Sequence, residues 1–222
     1  AHLVSSEAVA IKGKVCLLIV TLMSKREYIT FGNEVQFRFN ALKNIAEWTS
    51  DFASNLQDDK SATGGNEELD ELCMRAISVL LKNLPLAKIK RDKVTAQERD
   101  DLNKREFVKY FHFLSKYLAK SQAKITSNSN NIREHTIIGL GNLLESNINY
   151  GLEQFMKMTY SEDQAMRSAF LAVLTKIVKQ GIQLDQSDDN EPKEKYDRLM
   201  NLLMEDSKLK LIFLMLQSVS MA

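Results

Sequence analysis

The feature that most constrains this fold is the stretch from Asn131 to Gly181, in which apolar residues recur in steps of three and four. Such steps place side chains on one face of an α-helix. Two capping pairs, Asn131 with Glu134 and Ser161 with Gln164, predict where helices begin, and Gly181 predicts where the last one ends. The predicted buried residues are Ile137, Leu140, Leu144, Met166, Phe170, Val173 and Ile177. Since no helix covers its own apolar face, the stretch needs helical neighbours.

The rest of the chain supplies such neighbours. Apolar residues at helical spacing predict further helices over residues 6–26, 35–52, 66–84, 95–119, 149–158, 196–204 and 208–219. With only eight glycines and two prolines, the sequence is poorly suited to a turn-rich β architecture. The predicted fold class is therefore all-α, a HEAT/armadillo-like α-solenoid or an irregular helical array of about eight or nine helices. A compact helical bundle is the alternative.

Several polar residues predict the ends of these helices. Asn66 is expected to cap the third helix, which carries acidic residues in its first turn, and Pro85 is expected to end it. Thr95 and Glu98 form a capping box that opens the long fourth helix. Residues 121–130 are polar and predict a spacer before the next helix.

The apolar stripes also predict which residues are buried. In the first helix the predicted stripe consists of Ile11, Val15, Leu18 and Leu22, and it is widened by Cys16, Ile19 and Met23. In the third helix it consists of Leu69, Cys73, Ala76 and Leu80. In the fourth helix the row and the aromatic residues that widen it are Phe107, Tyr110, Phe111, Phe113, Leu114, Tyr117 and Leu118. Trp48, the only tryptophan, is predicted to be a core anchor between two helices.

The charges of the chain argue against a general nucleic-acid binder. Thirty basic and twenty-nine acidic residues leave a net charge of +1, whereas such binders usually carry a basic excess. Lysines alternate with aromatic residues in the fourth helix, but helical spacing favours an aromatic core with solvated lysines over an RNA-stacking surface. The densest basic segment supplies candidate residues for binding an acidic partner or an anionic lipid surface: Lys88, Lys90, Arg91 and Lys93. The alternative is a solvated loop between helices.

The sequence predicts no catalytic, cofactor-binding or metal-binding residue. Cys16 and Cys73 lie in apolar segments without CxxC spacing, which indicates buried, reduced thiols in an intracellular protein. The glycines of Gly139–Gly141 fall within a helical pattern and favour close helix packing, since a phosphate loop needs a preceding strand. His112 has no further ligands at metal spacing. The acidic loop 185–194 lacks the glycine and the terminal glutamate that an EF-hand requires.

One segment also resembles a known family. The residues RSAFLAVLTKIVKQG, Arg167–Gly181, with Gly141–Ser146 and the turn Asn147–Leu152, resemble the segment just upstream of the catalytic domain in neurofibromin and its fungal relatives. These relatives are the IRA-type inhibitory regulators of the Ras–cyclic AMP pathway. Weaker similarity to the same family extends over Asn40–Phe52, Met74–Leu86, Phe107–Leu118 and Tyr196–Met204. The loops between these segments favour the fungal branch.

The resemblance implies a role in Ras regulation. Members of this family accelerate GTP hydrolysis by Ras, because they insert an arginine beside the γ-phosphate. In the family the loop with this arginine lies further downstream, and the FLR-type motif is absent here, so neither Arg133 nor Arg167 is assigned that role. The resemblance therefore implies a non-catalytic helical scaffold fragment of a Ras GTPase-activating protein, which supports the adjacent catalytic domain. An autonomous α-solenoid that binds a protein or a membrane surface is the alternative.

The same resemblance implies an organisation and a set of partners. Residues 1–130 correspond to an upstream HEAT-like region, and residues 131–222 to a helical segment that leads into the GTPase-activating domain. A Ras-family GTPase is expected to bind the parent protein's catalytic domain and not this segment. Self-association and contacts with regulatory proteins are also expected, with no nucleic acid and no cofactor. The expected location is cytoplasmic, with peripheral association at membranes.

Overall fold

The computed structural model describes residues 2–24, 33–49, 66–92, 94–123, 127–147, 149–151, 154, 167–168, 170–173 and 175. Of these residues, 89% are helical and none lies in a strand, so the predicted all-α class is confirmed. The chain divides into two compact units, Ala1–Asn147 and Ile148–Ala222. The sequence-based boundary after residue 130 lies inside a helix of the first unit.

Five α-helices and a short 3-10 turn make up the described part of the first unit. They are α1 (His2–Ser24), α2 (Glu34–Trp48), α3 (Glu67–Leu81), the 3-10 turn (Leu86–Lys88), α4 (Ala96–Ala123) and α5 (Ser127–Ser146). Helix α3 packs against α1, α2 and α5, and α4 packs against α5 and the 3-10 turn. Helix α3 is therefore the element around which the others are arranged.

Local sequence explains both ends of α3. The side chain of Asn66 accepts a hydrogen bond from the Leu69 N–H over 3.1 Å, which confirms the predicted N-cap. The helix ends at Leu81, four residues before the proline that was predicted to end it. Asn83 has a φ of 58°, the left-handed conformation that asparagine tolerates just after a helix end. The prediction that Pro85 ends the helix is therefore wrong, because Asn83 already turns the chain.

The predicted stripes of α3 and α4 are confirmed. All four stripe residues of α3 are buried, and Cys73, Ala76 and Leu80 have no exposed surface. Every residue of the aromatic row in α4 is buried as well, with Phe107 and Tyr110 fully so. Helical periodicity identified these faces because each helix carries polar residues on its opposite side.

The predicted stripe of α1 is confirmed only in part: Cys16 and Ile19, which were predicted to widen it, are buried, but two of its four main residues are exposed. Ile11 and Leu18 are 62% and 56% exposed, whereas Cys16 is fully buried. The buried face contains Gly13, where an added Cβ would lie 3.1 Å from the Leu72 Cδ1 atom of α3. A glycine lets the two helices approach closely, so this face and not the neighbouring apolar one packs on α3. Because α1 is apolar on several sides, periodicity alone did not distinguish the two faces.

Helix α4 begins as predicted. The Thr95 N–H donates to Glu98 Oε2 over 2.8 Å, and the Glu98 N–H donates to Thr95 Oγ1 over 3.3 Å. These reciprocal bonds are the capping box. The helix continues to Ala123, beyond its predicted end near residue 119.

The start of α5 corrects two predictions. The helix begins at Ser127, and α4 continues to Ala123, so every described residue of the predicted spacer 121–130 is helical. Asn131 therefore lies in the second turn and is not an N-cap. Its side chain instead donates to Glu71 Oε1 of α3 over 3.0 Å. Helix α5 packs against α3, and Ser129, in the polar first turn of α5, is buried.

In the second unit, the structure describes short helical pieces. Phe170 and Val173 are fully buried, as their spacing predicts. The Ser161–Gln164 capping pair, Gly181, the acidic loop 185–194 and the helices predicted after it lie outside the described residues.

Candidate functional site

The C-terminal end of α3 is where side chains of two other helices bind its backbone. The carbonyls of a last helical turn lack a full set of donors within the helix. From α5, Asn142 Nδ2 donates to the Ser78 carbonyl over 2.7 Å, and Ser146 Oγ donates to the Leu81 carbonyl over 3.2 Å. Ser78 and Asn142 are both buried, so this link between the helices is shielded from water.

A buried cation from α2 completes this helix end. Arg38 is 2% exposed, and its Nη1 donates to the Val79 carbonyl over 2.9 Å, with a longer contact of 3.5 Å to that of Leu80. Its Nη2 lies 2.7 Å from Glu34 Oε1, one turn earlier in α2. The carboxylate balances the buried charge, and the guanidinium lies at the negative end of the α3 dipole.

Asn147 fixes the chain that follows α3. Its Nδ2 donates to the carbonyls of Leu84 and Leu143, each over 3.0 Å, and its Oδ1 accepts from the Leu86 N–H over 2.7 Å. The side chain is 5% exposed, and both ends of the amide have partners. It therefore holds the segment after α3 against the end of α5.

We call this set the α3 junction. It consists of the backbone of residues 78–86 with the side chains of Arg38, Asn142, Ser146 and Asn147. An amide–carbonyl hydrogen bond contributes about 1 kcal/mol net, and a buried polar group left without a partner costs about 1–3 kcal/mol. Removing any member therefore destabilises more than one helix at once. The junction fixes geometry and holds no nucleophile paired with a base.

Sequence reasoning missed the side chains of the α3 junction, although a signal was present. Arg38 precedes the buried Leu42 by four residues and Ile45 by seven, so it is in phase with the apolar stripe of α2. Asn147 follows the buried Leu143 by four residues. A polar side chain in phase with a buried stripe indicates a buried partner, but the sequence does not show which one.

The candidate basic site is only partly exposed. Lys88 and Lys90 are exposed, whereas Arg91 is half-buried and Lys93 lies outside the described residues. Arg91 Nη2 donates to Asn103 Oδ1 over 3.3 Å. The guanidinium of Arg91 also lies 5.8 Å from the centroid of the Phe39 ring. Of the basic residues described in this segment, the two lysines are therefore the ones available to a partner.

The two cysteines are buried and adjacent. Cys16 Sγ on α1 lies 3.9 Å from Cys73 Sγ on α3, and neither residue has exposed surface. Their predicted burial as free thiols is confirmed. Hydrogen bonding with Cys73 lowers the pKa of Cys16, while the same bond and burial raise the pKa of Cys73. Sequence spacing gave no sign of this contact, because 57 positions separate the two residues.

The remaining candidates occupy packing or surface positions. The rings of the α4 row are buried, so they are not presented for base stacking, and His112 is exposed. Gly139 is buried between Leu114 of α4 and Leu81 of α3, but a Cβ there would make ordinary contacts of 3.5 Å or more, so the helix packing does not depend on a glycine at this position. Arg133 is half-buried on α5. Among the described residues, no group of three or more His, Cys, Asp or Glu side chains has a metal-binding arrangement.

The described residues form an all-α fold, and the buried polar side chains of the α3 junction join its helices. No protein-family model matches the chain. Within the described residues, no helix combines the length and the apolar character that crossing a bilayer requires.

Proposed function

We propose that this chain is a non-catalytic helical scaffold from a Ras GTPase-activating protein of the neurofibromin and fungal IRA type. The motivation is the resemblance of Arg167–Gly181, and of the weaker segments upstream, to the region that precedes the catalytic domain in that family. In this proposal the chain supports the adjacent GTPase-activating domain. A Ras-family GTPase binds that domain, at the cytoplasmic side of a membrane, and the scaffold contacts regulatory proteins or a second copy of the parent.

The single structural observation that supports a scaffold is the α3 junction. Side chains from α2 and α5 bind the backbone at the end of α3, so three helices are tied at one buried point. A scaffold needs such fixed helix positions, because a flexible support would not hold the adjacent domain in one orientation.

The pairing of the helices supports a HEAT-like array as the finer architecture. Helix α1 packs on α3, and α3 packs on α5. Helix α2 packs on α3, and α4 packs on α5. Alternating helices form two layers in such arrays, and each unit contacts its neighbours. We therefore include the HEAT/armadillo-like arrangement in the proposal.

The first experiment measures phosphate release from GTP-loaded Ras with the 222-residue chain added. The expected result is the intrinsic rate of Ras, and an isolated Ras GTPase-activating domain serves as the positive control. Acceleration comparable to that of the isolated domain would overturn the scaffold proposal.

A second experiment tests the support of a neighbouring domain. The chain is placed upstream of a neurofibromin-type GTPase-activating domain, and thermal unfolding of that domain is compared with and without the chain. We expect a higher unfolding midpoint in the joined protein. An unrelated Ras GTPase-activating domain joined to the same chain is the control and should show no shift. An unchanged midpoint in the neurofibromin-type protein would contradict the support role.

The exposure of Lys88 and Lys90 favours one further function, binding to a protein or an anionic membrane surface. In a sedimentation assay with phosphatidylserine vesicles, the pair of substitutions Lys88→Glu and Lys90→Glu should abolish binding. The pair Lys14→Glu and Lys104→Glu changes two other exposed lysines and is the matched control. Arg91 is left unchanged because it contacts Asn103 and Phe39. Equal binding by both pairs would exclude this surface.

A further inference from the structure

The contact between Cys16 and Cys73 joins α1 to α3. Gly13 of α1 packs against α3 beside this contact. Gly13 lies one turn before Cys16, and a Cβ at Gly13 would lie 3.1 Å from Leu72, the neighbour of Cys73. The Sγ atoms are 3.9 Å apart. A disulfide needs them at about 2.05 Å, so the sulfurs must approach by roughly 2 Å.

We propose that Cys16 and Cys73 form a redox-sensitive clasp between α1 and α3, which a hydroperoxide closes to a disulfide. The observation behind it is the buried Sγ–Sγ contact between cysteines that are remote in sequence. This inference is independent of the proposed role in Ras regulation. It concerns only how the helical unit responds to an oxidant.

The chemistry balances with hydrogen peroxide as the oxidant. The thiolate of Cys16 attacks one peroxide oxygen, the O–O bond breaks, and the departing hydroxide takes a proton to become water. Cys16 is now a sulfenic acid. The Cys73 sulfur attacks the Cys16 sulfur, the S–O bond breaks, and the oxygen leaves as a second water with the Cys73 proton. Two thiols lose two electrons in total, and the peroxide gains them.

The surroundings assign the two sulfurs different roles. Hydrogen bonding with Cys73 lowers the pKa of Cys16 although burial acts in the opposite direction, and in this proposal Cys16 is the attacking sulfur. The hydrogen bond, burial and the charge of Asp70 raise the pKa of Cys73, whereas Lys12 acts in the opposite direction. Cys73 therefore stays protonated and acts second, as the resolving thiol.

Burial of both thiols selects the oxidant. Neither residue has exposed surface, so a small neutral peroxide reaches them more readily than a bulky disulfide such as oxidised glutathione. The closed clasp encloses α2, because the cross-link spans the 57 positions between Cys16 and Cys73. A cross-link of this span restricts the unfolded chain and stabilises the folded one.

The test treats the reduced 222-residue chain with hydrogen peroxide, then unfolds it in an alkylating reagent and measures its intact mass. The expected product is a monomer that has lost two hydrogen atoms and takes up no reagent. Its thermal unfolding midpoint should rise by several degrees, and dithiothreitol should reverse both changes. Oxidised glutathione at the same concentration should react much more slowly.

Cys16→Val and Cys73→Val are the controls, because valine fills the buried sites without a thiol. Each variant should show no intramolecular cross-link and no rise in its unfolding midpoint after peroxide. The wild-type measurement decides the proposal even where a variant fails to fold. The proposal would be overturned if both thiols of the folded chain can still be alkylated after peroxide treatment. The comparison uses peroxide concentrations that cross-link the urea-unfolded chain. A cross-link only between two chains would also overturn the proposal.

Discussion

The side-chain amide of Asn142 on α5 donates to the carbonyl of Ser78 near the end of α3 over 2.7 Å. Both residues are buried. The bond is one of several by which α2 and α5 hold the end of α3, and it connects parts of the chain that are 64 positions apart. The backbone carbonyls at a helix end usually bind water. Here they bind side chains of α2 and α5, and these bonds fix how the three helices pack.

Replacing Asn142 with leucine should destabilise the protein by about 1–3 kcal/mol, because a buried carbonyl loses its donor and meets an apolar side chain. Urea unfolding followed by circular dichroism measures the free energy of unfolding. Asn130 is exposed on the same helix, and Asn130→Leu is the matched control, expected within about 0.5 kcal/mol of the wild type. Equal losses in the two variants would contradict the buried role of Asn142.

Replacing Arg38 with methionine should lower the free energy of unfolding by about 2–3 kcal/mol, because hydrogen bonds from a charged donor are lost. Methionine keeps much of the buried volume, so the loss reports on the polar contacts. Arg105 is exposed on α4, and Arg105→Met should leave stability nearly unchanged. Combining Arg38→Met with Glu34→Gln should cost less than the sum of the two, since the residues form one ion pair.

Gly139 should accept alanine. An added Cβ would lie 3.5 Å from the nearest Leu114 atom and 3.7 Å from Leu81, which is ordinary contact. Alanine in a helix interior is favoured over glycine by about 0.5–1 kcal/mol, so Gly139→Ala should raise the free energy of unfolding. Gly139→Leu should lower it, because the larger side chain overpacks the site. A destabilising alanine would show that the helices are closer than the structure indicates.

Glu98 should make the start of α4 sensitive to acid. Hydrogen bonds from the backbone and side chain of Thr95 lower the pKa of Glu98 below its ordinary value. A lowered pKa in the folded state means that the stabilisation is present near neutral pH and is lost as pH falls through the folded pKa. The difference in unfolding midpoint between wild type and Glu98→Ala should therefore shrink in acid.

Thermal unfolding of both proteins at neutral pH and below the ordinary carboxyl pKa of about 4.3 measures this change. Glu7 is exposed on α1, and Glu7→Ala serves as the control, with little difference from wild type at either pH. A difference between wild type and Glu98→Ala that is constant with pH would contradict the role of the ionised carboxylate.

Periodicity and capping predicted α3 and α4 well, because both signals lie within one helix. The Asn66 cap, the Thr95–Glu98 capping box and the buried aromatic row depend on neighbours three or four residues away. The buried face of α1 was not predictable in the same way. Its apolar residues surround much of the helix, so periodicity placed the exposed Ile11 and Leu18 in one stripe with the buried Cys16 and Ile19.

The binding partners within the α3 junction were beyond prediction from sequence for a different reason. Arg38 binds a carbonyl 41 positions away, and Asn147 binds backbone groups 61 and 63 positions away. The phase of Arg38 and Asn147 with buried stripes indicates that they are buried. Which backbone groups they bind becomes known only with the helix packing. Arg91 is a similar case, because its side chain donates a hydrogen bond to Asn103 on the following helix, α4.

The measurement that tests the central claim most directly is native-state hydrogen exchange of the 222-residue chain. If the α3 junction ties α2, α3 and α5 into one scaffold, their slowest amides should exchange through one opening reaction with the same free energy. The Leu86 amide, which is bound by Asn147, should be protected with them. The claim would be contradicted if the α2 or α5 amides exchange through an opening reaction of lower free energy while α3 stays protected.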